Sequence, residues 1–224
     1  DISGEKRGLL PTPAWKRQAF SRPADQVWFP GETVIFGIGQ GYLLATPLQM
    51  AHAAAIIASR GKSYQPRLVT ALRDPVTNET RKLEPKLIEQ VEIAQPDAWD
   101  VAIGGMVKVM NGGTASRSQA GAKYQIAGKT GTAQVFSVAQ NAKYDESKID
   151  ERLRDHAWFI AFAPADAPKI AVAIMVENGR SGSGTAAPIA RRVIDTYLLG
   201  APTTELPPPK PIAGAPAPPP TATE

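Results

Sequence analysis

One run of four residues, Lys129-Thr130-Gly131-Thr132, combines groups that could hold an anion. An ammonium group and two hydroxyl groups are hydrogen-bond donors, and a glycine lets the backbone approach a ligand closely. Two motifs of different chemistry share this pattern. The first is the phosphate-binding loop of nucleotide-binding proteins, which requires a glycine at position 123 and a helix after the lysine. Position 123 is a lysine and the alternating stretch 132–136 follows, so a nucleotide site is not expected.

Few other side chains point to chemistry. The chain has no cysteine, which excludes a thiol nucleophile and a disulfide framework. His52 lies in an alanine-rich stretch and His156 precedes an apolar run, and neither has a visible cluster of further ligands. Structural roles are therefore expected for both, and no metal or cofactor site. The net charge of +4 includes no run of five like charges, which argues against nucleic-acid binding.

The elements that must position the run are predicted from apolar periodicity and capping residues. Helices are expected from Thr46 to Gly61, from Pro96 to Asn111, and over 186–199 with an apolar face of Ile189, Val193, Ile194, Tyr197 and Leu198. Strands are expected over 124–136 with a bend at the glycines, over 157–163 and over 169–176. Three strands flanked by helices indicate an α+β domain with an antiparallel sheet.

The remaining segments are predicted from composition. Prolines exclude a long helix within 1–32, and an exposed hairpin is expected within 66–95. The uncharged stretch 33–59 is too interrupted by glycine, proline and polar residues to span a membrane, so we expect a buried loop followed by a buried helix. Nine prolines in 201–224 predict a disordered tail after a folded part of 1–200.

The Lys-Thr-Gly run is also the triad of penicilloyl-serine transferases, and further segments resemble the same proteins. Stretches typical of class B penicillin-binding proteins are GIGQGYLLATPLQMA at 37–51, NGGTA at 111–115, ERLRDHAWFIAFAP at 151–164 and AVAIMVENG at 171–179. Their order and spacing are similar to the penicillin-binding protein 2 branch, the elongation-specific D,D-transpeptidases. The resemblance covers residues 1–200 and corresponds to the C-terminal part of the transpeptidase domain.

This resemblance implies a partial penicillin-binding/β-lactamase-like transpeptidase fold, with an antiparallel sheet between helices. It implies an enzyme anchored at the periplasmic face of the bacterial inner membrane, with any anchor outside this segment. In such enzymes a serine of an S-x-x-K motif attacks the penultimate D-Ala of a stem peptide, and an amine of a second stem resolves the acyl-enzyme. The implied partners are stem peptides that end in D-Ala-D-Ala, β-lactams, the rod-complex glycosyltransferase and elongation scaffold proteins.

Each residue of the run has a role in this resemblance. Lys129 is expected to supply positive potential, which acts more strongly in a partly dry cleft than in water. The hydroxyl groups of Thr130 and Thr132 are expected to donate to the terminal carboxylate of the stem peptide. Gly131 lets the substrate lie close to the backbone, and the backbone N–H of Thr132 is expected to donate into the oxyanion hole.

The sequence departs from the family in one respect. The family places two serine motifs, S-x-x-K and then S-x-N or S-x-D, before the region that this chain resembles, and neither is found in that context here. Ser3-Gly4-Glu5-Lys6 matches S-x-x-K as a string but has no buried helix around it, and no Ser-x-Asn occurs. Without nucleophile and base, the chain alone is expected neither to turn over stem peptide nor to react with penicillin. Without the N-terminal strands and the serine-bearing helical subdomain of the family fold, the apolar faces of the strands at 157–163 and 169–176 would be partly uncovered. We therefore also expect the isolated chain to be marginally stable or prone to aggregation.

Several interpretations remain open from sequence. The chain could instead be a non-catalytic module that binds peptidoglycan or an elongation partner. A β-lactamase-type hydrolase would share the triad but would also require the serine motifs and a deacylating carboxylate. The charged stretch 151–155 is a solvated loop or a substrate contact. The stretch 179–185 is a rim of the cleft or a simple connection between strand and helix.

Overall fold

The computed structural model describes residues 2–135 and 150–203. Its helices are α1 (Pro13–Ala19), α2 (Pro30–Gly37), α3 (Pro47–Ala58), α4 (Ala98–Met110), α5 (Ser116–Gln119) and α6 (Ala187–Leu199). Its strands are β1 (Lys62–Tyr64), β2 (Ala71–Arg73), β3 (Thr80–Lys82), β4 (Leu87–Gln90), β5 (Ala127–Ala133), β6 (His156–Ala163) and β7 (Ile170–Val176). The predicted tail at 201–224 lies outside the described residues apart from its first three positions, as does most of the predicted connection after β5.

The central sheet contains β5, β6 and β7, which pair in that order and antiparallel. One face carries Phe159 and Ala161 and packs against α6 through Ala190 and Ile194. The opposite face carries Phe162 and packs against α3 and α4, through residues that include Ile57, Ala58 and Met106. The predicted α+β arrangement of an antiparallel sheet flanked by helices is confirmed. Strand β5 is continuous over its seven residues and starts at Ala127, so the predicted bend at its glycines was wrong.

Capping signals in the sequence place the start of α3 and the end of α4 correctly, whereas α3 ends at Ala58, before the expected cap at Gly61. Thr46 Oγ1 accepts from Gln49 N at 3.2 Å and Gln49 Oε1 accepts from Thr46 N at 3.0 Å, which forms the expected capping box before α3. Helix α4 ends where Asn111 was predicted to stop it, and Gly112 follows with a φ of 85°. The predicted apolar face of α6 was partly wrong, because Arg191 and Asp195 are buried whereas Val193 and Tyr197 are exposed.

The first 45 residues contain only short helices, as the prolines within 1–32 predict. Prolines occupy the first helical position of α1 and α2, where a missing N–H costs nothing. Side chains of Trp15, Phe20 and Tyr42 pack with ring centroids 5.2–6.2 Å apart. The loop between α2 and α3 was expected to be buried and is instead largely exposed, and α3, also expected to be buried, is mostly half-buried apart from Ala54. Absence of charge was a poor guide here, because burial requires a packing partner and the described residues supply little cover for this stretch.

The exposed hairpin predicted within 66–95 is confirmed. Strands β2 and β3 pair antiparallel around a turn in which Asp74 Oδ1 accepts from the N–H groups of Val76 and Thr77. Asn78 adopts a positive φ of 59°, a conformation that asparagine tolerates better than most residues. In the part of the chain that the structure describes, no helix has the length and apolar character needed to cross a bilayer.

Candidate active site

Strand β5 carries Lys129, Thr130, Gly131 and Thr132 along one edge of the sheet. Lys129 lies opposite Ile160 of β6, and Gly131 lies opposite Trp158. Among the described strands β5 is paired on one side only, so its other backbone edge is available to an extended ligand. Lys129 and Thr132 are exposed and Thr130 is half-buried. The Lys129 ammonium group donates to the carbonyl oxygen of Thr130 at 2.7 Å, so its charge lies beside the strand.

A tight turn packs directly on the backbone of this strand. Residues 182–186 form a π-helical turn before α6, and Ser181 Oγ accepts from Gly184 N at 3.0 Å. A Cβ atom at Gly182 would lie 2.4 Å from Trp158 O and 2.7 Å from Gly131 O. A Cβ atom at Gly131 would lie 3.1 Å from Trp158 Cβ. The turn therefore packs against the sheet at the Lys-Thr-Gly run, and Gly182 is needed for this approach.

Two polar contacts at the strand were not foreseen from sequence. Thr130 Oγ1 lies 3.2 Å from Thr114 Oγ1, and Gln40 Nε2 donates to Thr132 O at 3.5 Å. Thr114 belongs to the NGGTA segment and Gln40 to the GIGQG segment. Both segments had been singled out for resemblance, but no local pattern indicates that they converge on β5.

The two histidines have structural contacts, as expected. His156 Nδ1 accepts from Asn178 N at 2.9 Å, and Asn178 Nδ2 donates to Arg154 O at 2.9 Å. This ties the start of β6 to the end of β7 and places the proton of a neutral His156 on Nε2. His52 Nε2 lies 3.2 Å from Ser63 Oγ. Within residues 2–135 and 150–203, no group of three or more His, Asp or Glu side chains could hold a metal ion.

Two strings match S-x-x-K, and neither has the geometry of a nucleophile. Ser3 is exposed and lies outside any helix. The second string, Ser59-Arg60-Gly61-Lys62, was not recognised from sequence, and its serine ends α3 by donating to Ala55 O at 2.8 Å. Lys62 lies on β1, which begins after that helix. Trp158 is half-buried and lies opposite Gly131 in the pairing of β5 with β6.

A buried ionic network behind the sheet was also missed from sequence. Arg191 Nε donates to Asp195 Oδ1 at 2.8 Å, and Tyr124 Oη donates to the same carboxylate at 2.5 Å. Burial alone would raise the pKa of Asp195, but hydrogen bonds from Thr203, Tyr124 and Arg191 outweigh it and lower that pKa. Burial and the hydrogen bond to Asp195 raise the pKa of Tyr124. Asp195 is therefore a stable anion in a structural role.

Comparison with known proteins agrees with this geometry. The model of the penicillin binding protein transpeptidase domain matches residues 1–195. The chain belongs to this transpeptidase family. The peptidoglycan D,D-transpeptidase MrdA of Haemophilus influenzae is 42% identical over 200 residues, which cover 88% of this chain and 30% of that protein. MrdA of Escherichia coli strain K12 is 37% identical over 224 residues, which cover 96% of this chain and 33% of that protein. The chain thus spans about a third of the length of these relatives.

Solved structures of the family share the fold. The crystal structure of Pseudomonas aeruginosa PBP2 in complex with WCK 5153 matches with a TM-score of 0.70 and 42% identity, over 89% of this chain and 38% of that one. A complex of PBP2 with MreC from Helicobacter pylori matches with a TM-score of 0.67 and 33% identity, over 88% of this chain and 32% of that one. The resemblance to the penicillin-binding protein 2 branch and the expected transpeptidase fold are confirmed.

Proposed function

We propose that this chain is the C-terminal part of a peptidoglycan D,D-transpeptidase and contributes the Lys-Thr-Gly strand to its active site. The observation that carries the proposal is the position of residues 129–132 on a sheet edge that is open among the described strands. The serine and its base come from a preceding part of the same protein. Two observations support this assignment of the serine to another part of the protein. The match covers only 30% of the Haemophilus influenzae relative, and the serine motifs are missing from this chain.

The geometry suggests how the strand acts. A stem peptide lies extended along β5, and its terminal carboxylate accepts hydrogen bonds from Thr130 and Thr132. Lys129 adds positive potential, which strengthens once the serine-bearing part excludes water from the cleft. The N–H of Thr132 donates to the carbonyl oxygen that becomes the oxyanion.

Two acyl transfers then follow. The serine oxygen attacks the penultimate carbonyl carbon, and the peptide bond to the terminal D-Ala breaks, so that D-Ala leaves with a proton on its amine. An amine of a second stem then attacks the ester carbonyl. The new amide bond forms, and the serine oxygen leaves and regains its proton. β-Lactams undergo the first transfer at the same serine.

Location and partners follow from the relatives as part of this proposal. We place the enzyme at the periplasmic face of the bacterial inner membrane, where its peptidoglycan substrate is found. The Helicobacter pylori PBP2 is in a complex with MreC. An equivalent scaffold protein and the rod-complex glycosyltransferase are the protein partners that we propose for this chain within its full-length protein.

Labelling with a fluorescent penicillin tests the proposal. The full-length protein that contains this chain is expected to be labelled covalently, whereas the chain alone is not, because it has no nucleophile. In the full-length protein, Lys129→Ala should slow acylation by about a hundredfold, the effect typical of losing a donor that stabilises developing charge. Lys82→Ala removes an exposed lysine of the β2–β3 hairpin and serves as the control. A labelled band at the mass of the chain alone, or an unchanged rate in Lys129→Ala, would contradict the proposal.

A further inference from the structure

We infer that Thr114 is a positioning residue for the proposed active site, acting through the hydroxyl group of Thr130. The two Oγ1 atoms lie 3.2 Å apart, although the residues are 16 positions apart in the chain. The inference rests on the proposed function, since it assigns Thr130 the terminal carboxylate of the substrate as its ligand.

The direction of this hydrogen bond decides what Thr130 can do. A threonine hydroxyl has one proton, so Thr130 donates either to Thr114 or to a ligand. A carboxylate accepts hydrogen bonds and donates none, so a bound substrate requires the proton of Thr130. Thr114 must then donate to Thr130 Oγ1, and this contact holds the Thr130 hydroxyl in a fixed rotamer with its proton facing the substrate.

Backbone packing on both sides of Thr114 fixes its position. A Cβ atom at Gly113 would lie 2.6 Å from Val109 Cα and 2.7 Å from Lys108 O, so the chain leaves α4 in close contact with that helix. Ala115 is 1% exposed within the core, and its N–H donates to Val109 O at 3.1 Å. Thr114 itself is exposed between these two packed neighbours.

The loop that follows Thr114 is also tied to the sheet and to α6. Gln119 Oε1 accepts from Ile126 N at 2.9 Å and from Gln125 Nε2 at 3.1 Å, directly before β5 begins. Arg191 Nη1 donates to Ser118 O at 2.9 Å and to Ala120 O at 3.0 Å. The distance between Thr114 and Thr130 is therefore set by several contacts distributed over the fold, which is the condition for a preorganised donor.

The test measures the second-order rate constant for acylation of the full-length protein by a fluorescent penicillin, whose carboxylate stands in for that of the substrate. Thr114→Val is expected to lower this constant by about tenfold, the effect of one hydrogen bond that assists binding of a charged group. Thr114→Ser, which keeps the hydroxyl, should stay within about twofold of the parent. Thr196→Val removes an exposed hydroxyl on α6 that donates to Arg192 O, and should leave the constant unchanged.

A double-mutant cycle separates positioning from a general structural effect. If Thr114 acts through Thr130, Thr114→Val should have no further effect in a protein that already carries Thr130→Val. Equal losses in both backgrounds, no loss in the parent, or a serine variant as slow as the valine variant would each overturn the inference. Thr114→Ala is a second hydroxyl-free variant, to be used if circular dichroism shows that valine disturbs folding.

The same data separate this inference from the proposed function. If Lys129→Ala and Thr130→Val slow acylation but Thr114→Val does not, the inference fails and the proposed function stands. If none of the three substitutions changes the rate constant, the proposed site fails and the inference fails with it.

Discussion

The sheet and the first 45 residues bury their apolar side chains to very different extents. Phe159 and Phe162 of β6 are 1% and 0% exposed, whereas Val34 and Ile38 are 68% and 70% exposed. The strand that carries Lys129 is thus held by a core formed within this chain, between α6 on one face and α3 and α4 on the other. The segment that brings Gln40 to that strand has no comparable cover among the described residues. The candidate site therefore has one well-packed side and one side that the described residues leave largely exposed.

The prediction with the largest expected effect tests whether the two regions contribute differently to stability, as their difference in burial implies. Phe159→Ala should lower the free energy of unfolding of the chain by about 3–5 kcal/mol, since it removes a buried aromatic ring. Ile38→Ala should change it by no more than about 0.5 kcal/mol, because that side chain is already exposed. Urea unfolding followed by circular dichroism measures both. Similar losses for the two variants would break the comparison.

The same measurement bears on the isolated chain itself. Loss of a cooperative transition in Phe159→Ala would agree with the expected marginal stability, because a small domain has little stability to lose. A parent chain that is monodisperse and melts cooperatively at high temperature would contradict that expectation.

A second prediction compares the buried ion pairs of the two regions. Asp195→Asn should cost about 3 kcal/mol, because it leaves Arg191 charged and uncompensated inside the protein. Glu32→Gln removes the partner of Lys16 in the first segment and should cost less, since the Glu32 side chain is 18% exposed whereas that of Asp195 is fully buried. Hydrogen exchange is expected to show weaker amide protection in α1 and α2 than in β5 to β7. Equal losses of stability in the two variants, together with equal amide protection in the two regions, would contradict the proposed difference between the regions.

The Asp195 pair also gives a dependence on pH. The pKa of Asp195 is lower in the folded protein than its usual 3.8. The carboxylate therefore contributes stability at pH values above 3.8, and this contribution is lost as the pH falls below 3.8 through the folded pKa. The parent should lose stability faster than Asp195→Asn over this acid range. Parallel stability curves for the two proteins would show that Asp195 does not act as described.

The smallest expected effect concerns the turn that supports the Lys-Thr-Gly run. Gly182→Ala should cost about 1–3 kcal/mol and displace β5, because the new methyl group would meet backbone atoms of Trp158 and Gly131 that no rotamer change can move. Gly184→Ala is the matched control, since its nearest neighbour would be Ser181 Oγ at 3.2 Å. Thermal unfolding of both variants measures the cost. A tolerated Gly182→Ala would show that the turn is loosely packed on the strand.

Local signals in the sequence were sufficient for the main helices and strands around the central sheet and for the family. The Thr46 capping box, the stop at Asn111 and the apolar strand at 157–163 each depend on neighbours within a few residues. Because these interactions are short in range, they can be recognised without knowledge of the fold. The Lys-Thr-Gly run and its accompanying segments were specific enough to identify the transpeptidase family, which the relatives confirm.

Only the tertiary structure decided which distant residues meet. Arg191 and Asp195 are charged residues that a helical pattern assigns to the surface, and they are buried because Tyr124 and Thr203 satisfy them from other parts of the chain. The contact of Thr114 with Thr130 and the packing of Gly182 on Gly131 likewise depend on how the sheet brings separate segments together. A sequence specifies such contacts only through the complete fold, because no short-range interaction distinguishes these residues from other threonines and glycines.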